Sequence, residues 1–362
     1  MKTETQDKQK NFWLNRFIPA LIIIAVLVIL VIILSYSFRA DLYQKFSDVG
    51  FWVLRAFAIV LLGVIVGWIF YELSHAYSNM IIPSIILTIF YVLSMLLGPN
   101  MFVNVLFGRG VVSYDALINL PVNNVHINET NTVVEYYFGT LFTQYVFDFW
   151  PLLTTFIIAL VFFLIRLVVI NNVNILALTI KTISLWFMSL FLTIFAKTFI
   201  VLMTQQIGIE LVILMIVVAS SYDIGGYFGG KFLGHKFFKA KLAPTISPKK
   251  TWEGAIVGYL ISFLITLIYI YAVYGIRGLN NNSVAGVLLS PHSRFFPYLL
   301  TFLFIAPIIA LLGDLYFSLI KRRNEIKDFS NILKEHGGLL DRIDSISFVF
   351  VFFGVLAACS TL

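Results

Sequence analysis

Residues 318–344 read SLIKRRNEIKDFSNILKEHGGLLDRID, and this C-terminal polar segment lies between two strongly apolar runs, 296–317 and 345–362. It holds six Lys or Arg and five Asp or Glu, in a chain that is only 12% charged. A loop that merely joins two membrane helices needs only a few polar residues. The length and the charge of this segment therefore predict a functional site at the ends of two membrane spans.

Apolar runs of similar length recur along the chain, which has 362 residues and is 60% hydrophobic. A helix needs about 20 apolar residues to cross the bilayer core, whereas transmembrane strands are shorter and alternate in polarity. The chain is therefore predicted to be an all-α polytopic integral membrane protein with about nine transmembrane helices. The predicted spans are 17–38, 51–73, 80–97, 146–170, 182–204, 207–222, 255–275, 296–317 and 345–362.

The distribution of Lys and Arg predicts the orientation of these spans. Positively charged residues beside a span favour the cytoplasmic side. With the N-terminus inside, the cytoplasmic segments hold 17 Lys and Arg and the outer segments hold five. The N-terminus is therefore predicted to be cytoplasmic, together with the upstream polar segment (residues 223–254) and the C-terminal polar segment. The Lys and Arg residues that give the chain its net charge of +7 cluster beside the predicted spans. This placement favours anionic lipid or phosphate over nucleic acid as the partner.

Two regions are predicted. Residues 1–204 hold about five spans and no recognisable motif, whereas residues 205–362 hold both polar segments and are expected to be catalytic. The single cysteine, Cys359, excludes an intramolecular disulfide and a multi-cysteine metal site. The Phe-, Ile- and Asn-rich composition is compatible with an AT-rich bacterial genome, so the expected location is a bacterial cell membrane, crossed several times.

The upstream polar segment opens with glycines at helical spacing, which favours close packing of helices. Gly225 to Lys231 fits the first part of a phosphate-binding P-loop, but Phe232 replaces the required Ser or Thr and no βαβ unit surrounds it, so this interpretation is rejected. Residues 244–254, PTISPKKTWEG, supply hydroxyls and lysines suited to phosphate; a lipid-headgroup anchor is the alternative, because Lys and Trp favour the interface. The candidate phosphate ligands are Ser247, Lys249, Lys250 and Thr251.

Acidic residues accompany the C-terminal polar segment. Asp314, Ser318 and Lys321 share one helix face by their spacing. Asp341 and Asp344 are spaced to share another face at the start of the last span, where capping of that helix is the alternative. Like charges about 4 Å apart repel by about 4 kcal/mol at an effective dielectric constant of 20. A divalent cation, Mg²⁺ or Mn²⁺ rather than Zn²⁺, would compensate converging carboxylates.

Lysines, hydroxyls and carboxylates on the cytoplasmic face suit phosphoryl or nucleotidyl transfer from a soluble triphosphate to an acceptor that lies in the bilayer. Asp223, at the end of the sixth predicted span, is a weaker metal-ligand candidate, with pairing to a lysine as the alternative. Gly337 and Gly338 would let backbone amides approach a phosphate closely.

The C-terminal polar segment closely resembles the signature of phosphatidate cytidylyltransferases (CDP-diacylglycerol synthases). The resemblance rests on the pattern Ser318-x-Ile320-Lys321-Arg322-x4-Lys327-Asp328-x-Ser330-x2-Leu333-x2-His336-Gly337-Gly338-x2-Asp341-Arg342-x-Asp344. Residues 247–254, SPKKTWEG, look like the second motif of that family. The resemblance covers roughly residues 205–362, and one departure is Lys334, where the family usually has Pro or Gly.

The resemblance implies that CTP and phosphatidate react to give CDP-diacylglycerol and pyrophosphate, with Mg²⁺. It also implies a second, monovalent cation such as K⁺ and a homodimer. The implied metal ligands are Asp314 and Asp341, with Asp344 close by and Asp223 as a weaker candidate. The implied catalytic residues are Asp314, Lys321, Asp341 and Asp344. Substrate binding is expected from Ser247, Lys249, Lys250, Thr251, Ser318, Arg322, His336, Gly337, Gly338 and Arg342, with His336 as a hydrogen-bonding loop residue rather than a base.

Two other classes share part of this pattern. A CTP-dependent polyprenol or phytol kinase would use the same triphosphate in the same membrane setting, but should lack the full run from Lys-Arg through His-Gly-Gly to Asp-Arg-x-Asp. A transporter would carry its charges near the middle of the bilayer and often shows repeated halves. Here the charges lie at the predicted cytoplasmic edge and no repeat is visible, so the cytidylyltransferase is the expected function.

Overall fold

The computed structural model describes residues 18–38, 48–96, 142–147, 149–169, 174–205, 207–277, 296–330 and 337–359. Helices account for most of these residues, with a short π-helical turn at Phe142–Val146 before the fourth of them. Within these ranges the α-helices are α1 Ile18–Phe38, α2 Asp48–Ser78, α3 Ile81–Leu96, α4 Phe149–Val169, α5 Ile175–Thr204, α6 Gly208–Leu233, α7 Trp252–Arg277, α8 Phe296–Arg323 and α9 Asp344–Cys359.

The predicted all-α membrane architecture is confirmed. In the described part of the chain, six helices (α2 and α4 to α8) are long and apolar enough to cross a membrane, α3 and α9 are shorter apolar helices, and α1 is an apolar helix of 21 residues. Each predicted span overlaps one of these helices. The cytoplasmic orientation of the N-terminus stays a prediction, and residues 1–17 lie outside the described ranges.

Helices α2, α6, α7 and α8 continue past their predicted ends, and the extensions of α6 and α8 include candidate site residues. The sixth span was predicted to end at residue 222, but α6 runs to Leu233 and therefore includes Asp223 and most of the glycines. The eighth span was predicted to end at residue 317, but α8 runs to Arg323. The physical reason is that hydropathy marks where the apolar surface ends, whereas a helix continues as long as its backbone bonds form.

The upstream polar segment contains a small β-hairpin that the sequence did not predict. Strands β1 (Lys241–Ala243) and β2 (Ser247–Thr251) are antiparallel, with an irregularity in the register between them. Strand β2 leads directly into α7, and the Gly254 amide donates to Thr251 Oγ1 at 3.1 Å, which caps the helix. The hairpin therefore presents its lysines from a fixed position at the start of α7.

The predicted close packing at the glycines is confirmed. Helices α6 and α7 pack along the glycine face of α6, and a Cβ atom on Gly229 would lie only 2.5 Å from Val257 Cβ. A Cβ atom on Gly225 would lie 2.9 Å from Ile261 Cβ. The absence of side chains at these two positions lets the helix backbones approach, and this contact fixes α6 relative to the hairpin that precedes α7.

The core of the bundle is built around α5. This helix is the most buried of the six long helices, and it packs against α4, α6 and α9. Helices α8 and α9 also pack together, with Gly313 of α8 against the start of α9. A Cβ atom on Gly313 would lie 2.9 Å from the carbonyl oxygen of Asp344. This close approach sets Asp344 beside the neighbouring Asp314.

Candidate functional site

The two polar segments meet, although two helices separate them in the sequence. The Lys250 Nζ atom of strand β2 forms an ion pair with Asp314 Oδ2 of α8. A second link is longer, because Arg322 Nε donates to the carbonyl oxygen of Ile246 at 3.4 Å. The structure therefore brings the hairpin and the end of α8 into one site.

The predicted face of α8 is formed, but its charges have different partners. Ser318 Oγ donates to Asp314 Oδ1 at 3.3 Å. Lys321 does not pair with Asp314; its Nζ atom donates to Asp341 Oδ1 at 2.9 Å and lies 5.6 Å from the centre of the Phe329 ring. Lys250 and Lys321 thus neutralise one carboxylate each, on neighbouring parts of the site.

Three carboxylates from three helices lie within electrostatic range of one another. Asp223 of α6, Asp314 of α8 and Asp344 of α9 lie close enough to repel one another, and Lys250 and Lys321 offset part of this repulsion. The Asp223 side chain is exposed, Asp314 is about one-quarter exposed, and Asp344 Oδ1 accepts a hydrogen bond from the Ser345 amide at 2.7 Å. We call Asp223, Asp314 and Asp344 the carboxylate cluster.

Asp341 has a different environment. Its Oδ1 atom accepts from Lys321, and its Oδ2 atom accepts from the amides of Phe329 and Gly338, each at 2.9 Å. Asp344, predicted to share a helix face with Asp341, has other partners, because its Oδ1 atom accepts from the Ser345 amide and a 3₁₀ turn (Leu340–Arg342) separates Asp341 from α9. Asp341 therefore holds a loop and a lysine, while Asp344 belongs to the carboxylate cluster.

The residues present fit a divalent cation of the Mg²⁺ type. Among the described residues, no three His, Cys, Asp or Glu side chains are gathered tightly enough to ligate one ion by themselves. Mg²⁺, however, is usually bound by one or two carboxylates, with substrate phosphates and waters as the other ligands. The hard oxygen ligands and the mutual repulsion of the carboxylate cluster suit such an ion. Asp341 suits it less, since both of its oxygens accept hydrogen bonds.

The remaining candidate residues are spread around this centre. Lys249 is exposed beside Lys250, whereas Thr251 is buried and its hydroxyl caps α7. Gly337 adopts a left-handed backbone conformation (φ +74°), and the Gly338 amide donates a hydrogen bond to Asp341 Oδ2. Ser247 lies opposite Ala243 in the hairpin, Arg342 is exposed in the 3₁₀ turn, and His336 and Lys334 lie outside the described residues.

Sequence reasoning missed Glu72 of α2, which contacts the C-terminal polar segment directly. Its carboxylate is buried and accepts hydrogen bonds from Ser330 Oγ at 2.7 Å and from the amides of Leu339 and Leu340 at 3.1 and 2.8 Å. One signal was available, because Glu72 is the only acidic residue in the predicted span 51–73. Ionisable residues within membrane helices usually have a functional or pairing role.

A sequence profile of the cytidylyltransferase family matches residues 78–360. Similar curated proteins include the phosphatidate cytidylyltransferases of Haemophilus influenzae, with 34% identity over 146 residues (40% of this chain, 45% of the relative), and of Bacillus subtilis, with 37% identity over 154 residues (42% and 49%). The protein of the same name from Rickettsia bellii is 40% identical over 147 residues (40% and 56%). The chain thus spans about half the length of the curated relatives that it matches. The six long apolar helices and these bacterial relatives identify a multi-pass integral protein of the bacterial cell membrane.

Proposed function

Because the chain belongs to the cytidylyltransferase family, we propose that it is a phosphatidate cytidylyltransferase, which converts CTP and phosphatidate to CDP-diacylglycerol and pyrophosphate at the cytoplasmic face of the membrane. The observation that carries this proposal is the ion pair between Lys250 and Asp314. It joins a cationic hairpin, suited to phosphates, to the carboxylate cluster, suited to a metal ion. The names of the matched relatives support the same reaction.

In the proposed reaction, a phosphate oxygen of phosphatidate attacks the α-phosphorus of CTP. A new P–O bond forms, the bond from the α-phosphorus to the oxygen bridging it to the β-phosphorus breaks, and pyrophosphate leaves with the bonding electrons. Phosphatidate is anionic near neutral pH, so this step requires no strong general base. The protein has to position two polyanions and offset their repulsion. Lys250, Lys321 and Arg322 are the cations proposed for this task.

Mg²⁺ is part of the proposal, with one or two members of the carboxylate cluster (Asp223, Asp314 and Asp344) and the substrate phosphates as the ligands that would hold it. When bound, such an ion neutralises phosphate charge and stabilises the leaving pyrophosphate. Asp341 stays a predicted ligand, but its bonds to Lys321 and two loop amides favour a role in holding the phosphate-binding lysine in place. The family resemblance adds two further proposals, a monovalent cation such as K⁺ and a homodimer.

The test is pyrophosphate release by the purified protein in detergent. The expected result is release that requires CTP, phosphatidate and Mg²⁺ together and that ATP does not support. Replacing K⁺ by choline measures the need for the monovalent cation, and light scattering of the detergent complex measures the oligomeric state. Turnover without phosphatidate, or turnover with a polyprenol only, would contradict the proposed acceptor.

A further inference from the structure

We infer that Glu72 is a positioning residue, which holds both sides of the C-terminal polar segment so that Lys321 is presented to the substrate phosphates. This inference rests on the proposed function for its kinetic part only. The Glu72 side chain is 1% exposed, although it belongs to a helix in the region that carries no recognisable motif. It also precedes the family match, which begins at residue 78.

The contacts of Glu72 reach both sides of residues 331–336. Its Oε1 atom accepts from Ser330 Oγ on one side and from the Leu339 amide on the other, and its Oε2 atom accepts from the Leu340 amide. Trp68, one turn earlier in α2, donates its Nε1 hydrogen to Glu72 Oε1 at 2.9 Å and so orients the carboxylate. Four donors therefore converge on one buried carboxylate, and together they fix its position.

The same two stretches of backbone also hold Asp341. The Phe329 amide, next to Ser330, and the Gly338 amide, next to Leu339, both donate to Asp341 Oδ2. Adjacent donors thus alternate between the two carboxylates. Because Asp341 in turn binds Lys321, loss of the acceptor at Glu72 would release the backbone that sets the position of this lysine.

Gly338 supports this interpretation independently. A Cβ atom at Gly338 would lie only 2.5 Å from Glu72 Oε2, so the backbone can approach the carboxylate only without a side chain there. A glycine is therefore required at each of the two positions for a different structural reason. Gly337 provides the left-handed turn, and Gly338 provides the room for Glu72.

The test combines hydrogen exchange with kinetics on the full chain in detergent, using Glu72→Gln and the matched control Tyr91→Phe. Gln keeps the size of Glu but replaces one acceptor oxygen with an amide that faces donors. Tyr91→Phe removes a different buried hydrogen bond, from Tyr91 to Thr193 Oγ1 at 2.9 Å, away from the polar segment. Ser330→Ala removes only one donor and serves as the milder variant if Glu72→Gln does not fold.

We expect faster exchange at residues 337–345 in Glu72→Gln, with the other helices unchanged, and a kcat lower by roughly 10- to 100-fold, since small misplacements of catalytic groups have effects of this size. Ser330→Ala should show both changes in weaker form, and Tyr91→Phe neither. Unchanged exchange at 337–345, an increase spread over the whole bundle, or faster exchange with an unchanged kcat would overturn the inference. If the wild-type protein does not turn over CTP and phosphatidate, the proposed function fails, while the exchange data still decide whether Glu72 holds the segment.

Discussion

Replacing Lys250 with Met should impair the reaction far more than the same change at the adjacent Lys249. The two lysines are neighbours in strand β2, and the sequence predicts that both bind phosphate. In the structure, Lys250 pairs with Asp314 beside the carboxylate cluster, whereas Lys249 is exposed. Lys249→Met is therefore a control that removes the same charge from the same strand without touching the cluster.

The magnitude follows from the environment of the pair. A lysine about 4 Å from a phosphate charge interacts by about 4 kcal/mol at an effective dielectric constant of 20. In reaching a phosphate, Lys250 gives up its pair with Asp314. Fully exposed ion pairs contribute about 0.2–1 kcal/mol, and breaking a buried pair costs about 3–5 kcal/mol. The side chains of Lys250 and Asp314 are each about one-quarter exposed. Their ion pair therefore lies between these limits and contributes about 2 kcal/mol. The net loss is then about 2 kcal/mol, or roughly 30-fold in kcat/KM.

The assay is pyrophosphate release with CTP and phosphatidate, measured across a range of Mg²⁺ concentrations. We expect kcat/KM to fall roughly 30-fold in Lys250→Met and less than about threefold in Lys249→Met, since exposed charges interact weakly. The Mg²⁺ concentration for half-maximal rate should also fall in Lys250→Met, because the ion no longer competes with the lysine for Asp314. Equal losses in the two variants would refute the reasoning and favour the alternative in which both lysines anchor lipid headgroups.

Three further predictions concern neighbouring parts of the structure. Asp314→Asn should lower turnover by about 100-fold or more without changing hydrogen exchange at residues 337–345. Asp341→Asn should change both turnover and exchange, because it replaces an acceptor of three hydrogen bonds. Identical exchange in the two variants would contradict the separate roles of these carboxylates. Gly229→Ala should destabilise the protein by about 1–3 kcal/mol through overpacking, measured by thermal unfolding in detergent, and Val257→Ala in the same chain should restore part of the loss; no loss would mean that α6 and α7 do not pack closely. Thr251→Val should cost about 1 kcal/mol of stability through loss of the helix cap, whereas Thr251→Ser should keep stability and turnover; a fully stable but inactive Val variant would show that the hydroxyl binds substrate.

The architecture could be predicted because membrane burial is recorded directly in the sequence. Each apolar run corresponds to a helix, and the spacing of Gly225 and Gly229 predicts the close contact with α7. The ends of α6 and α8 were missed because hydropathy records the bilayer rather than the helix. The hairpin was missed because β2 is stabilised by its partner strand and by the start of α7, which are tertiary relations.

The chemistry of the site could be predicted, but its pairings could not. The polar segments predicted which residue types would gather, and Lys250 and Asp314 do meet. Which lysine binds which carboxylate depends on the packing of α6, α8 and α9, and the sequence has no local signal for it. The spacing of Asp341 and Asp344 does not reveal that Asp341 binds Lys321 whereas Asp344 accepts from the Ser345 amide.

Glu72 shows how such a long polar segment is stabilised. A loop at the end of a helical bundle carries backbone amides that need acceptors, because a buried amide without a partner destabilises the fold. The sequence thus implies that acceptors exist, but an isolated Glu in α2 does not reveal that Leu339 and Leu340 are its donors. The residues matched by the family profile supply the cations and the carboxylate cluster. Helix α2 supplies the acceptor Glu72, which precedes the matched region in the sequence. The position of Ser330 and of residues 339–340 therefore depends on α2 as well, which gives this motif-free span a direct structural role at the site.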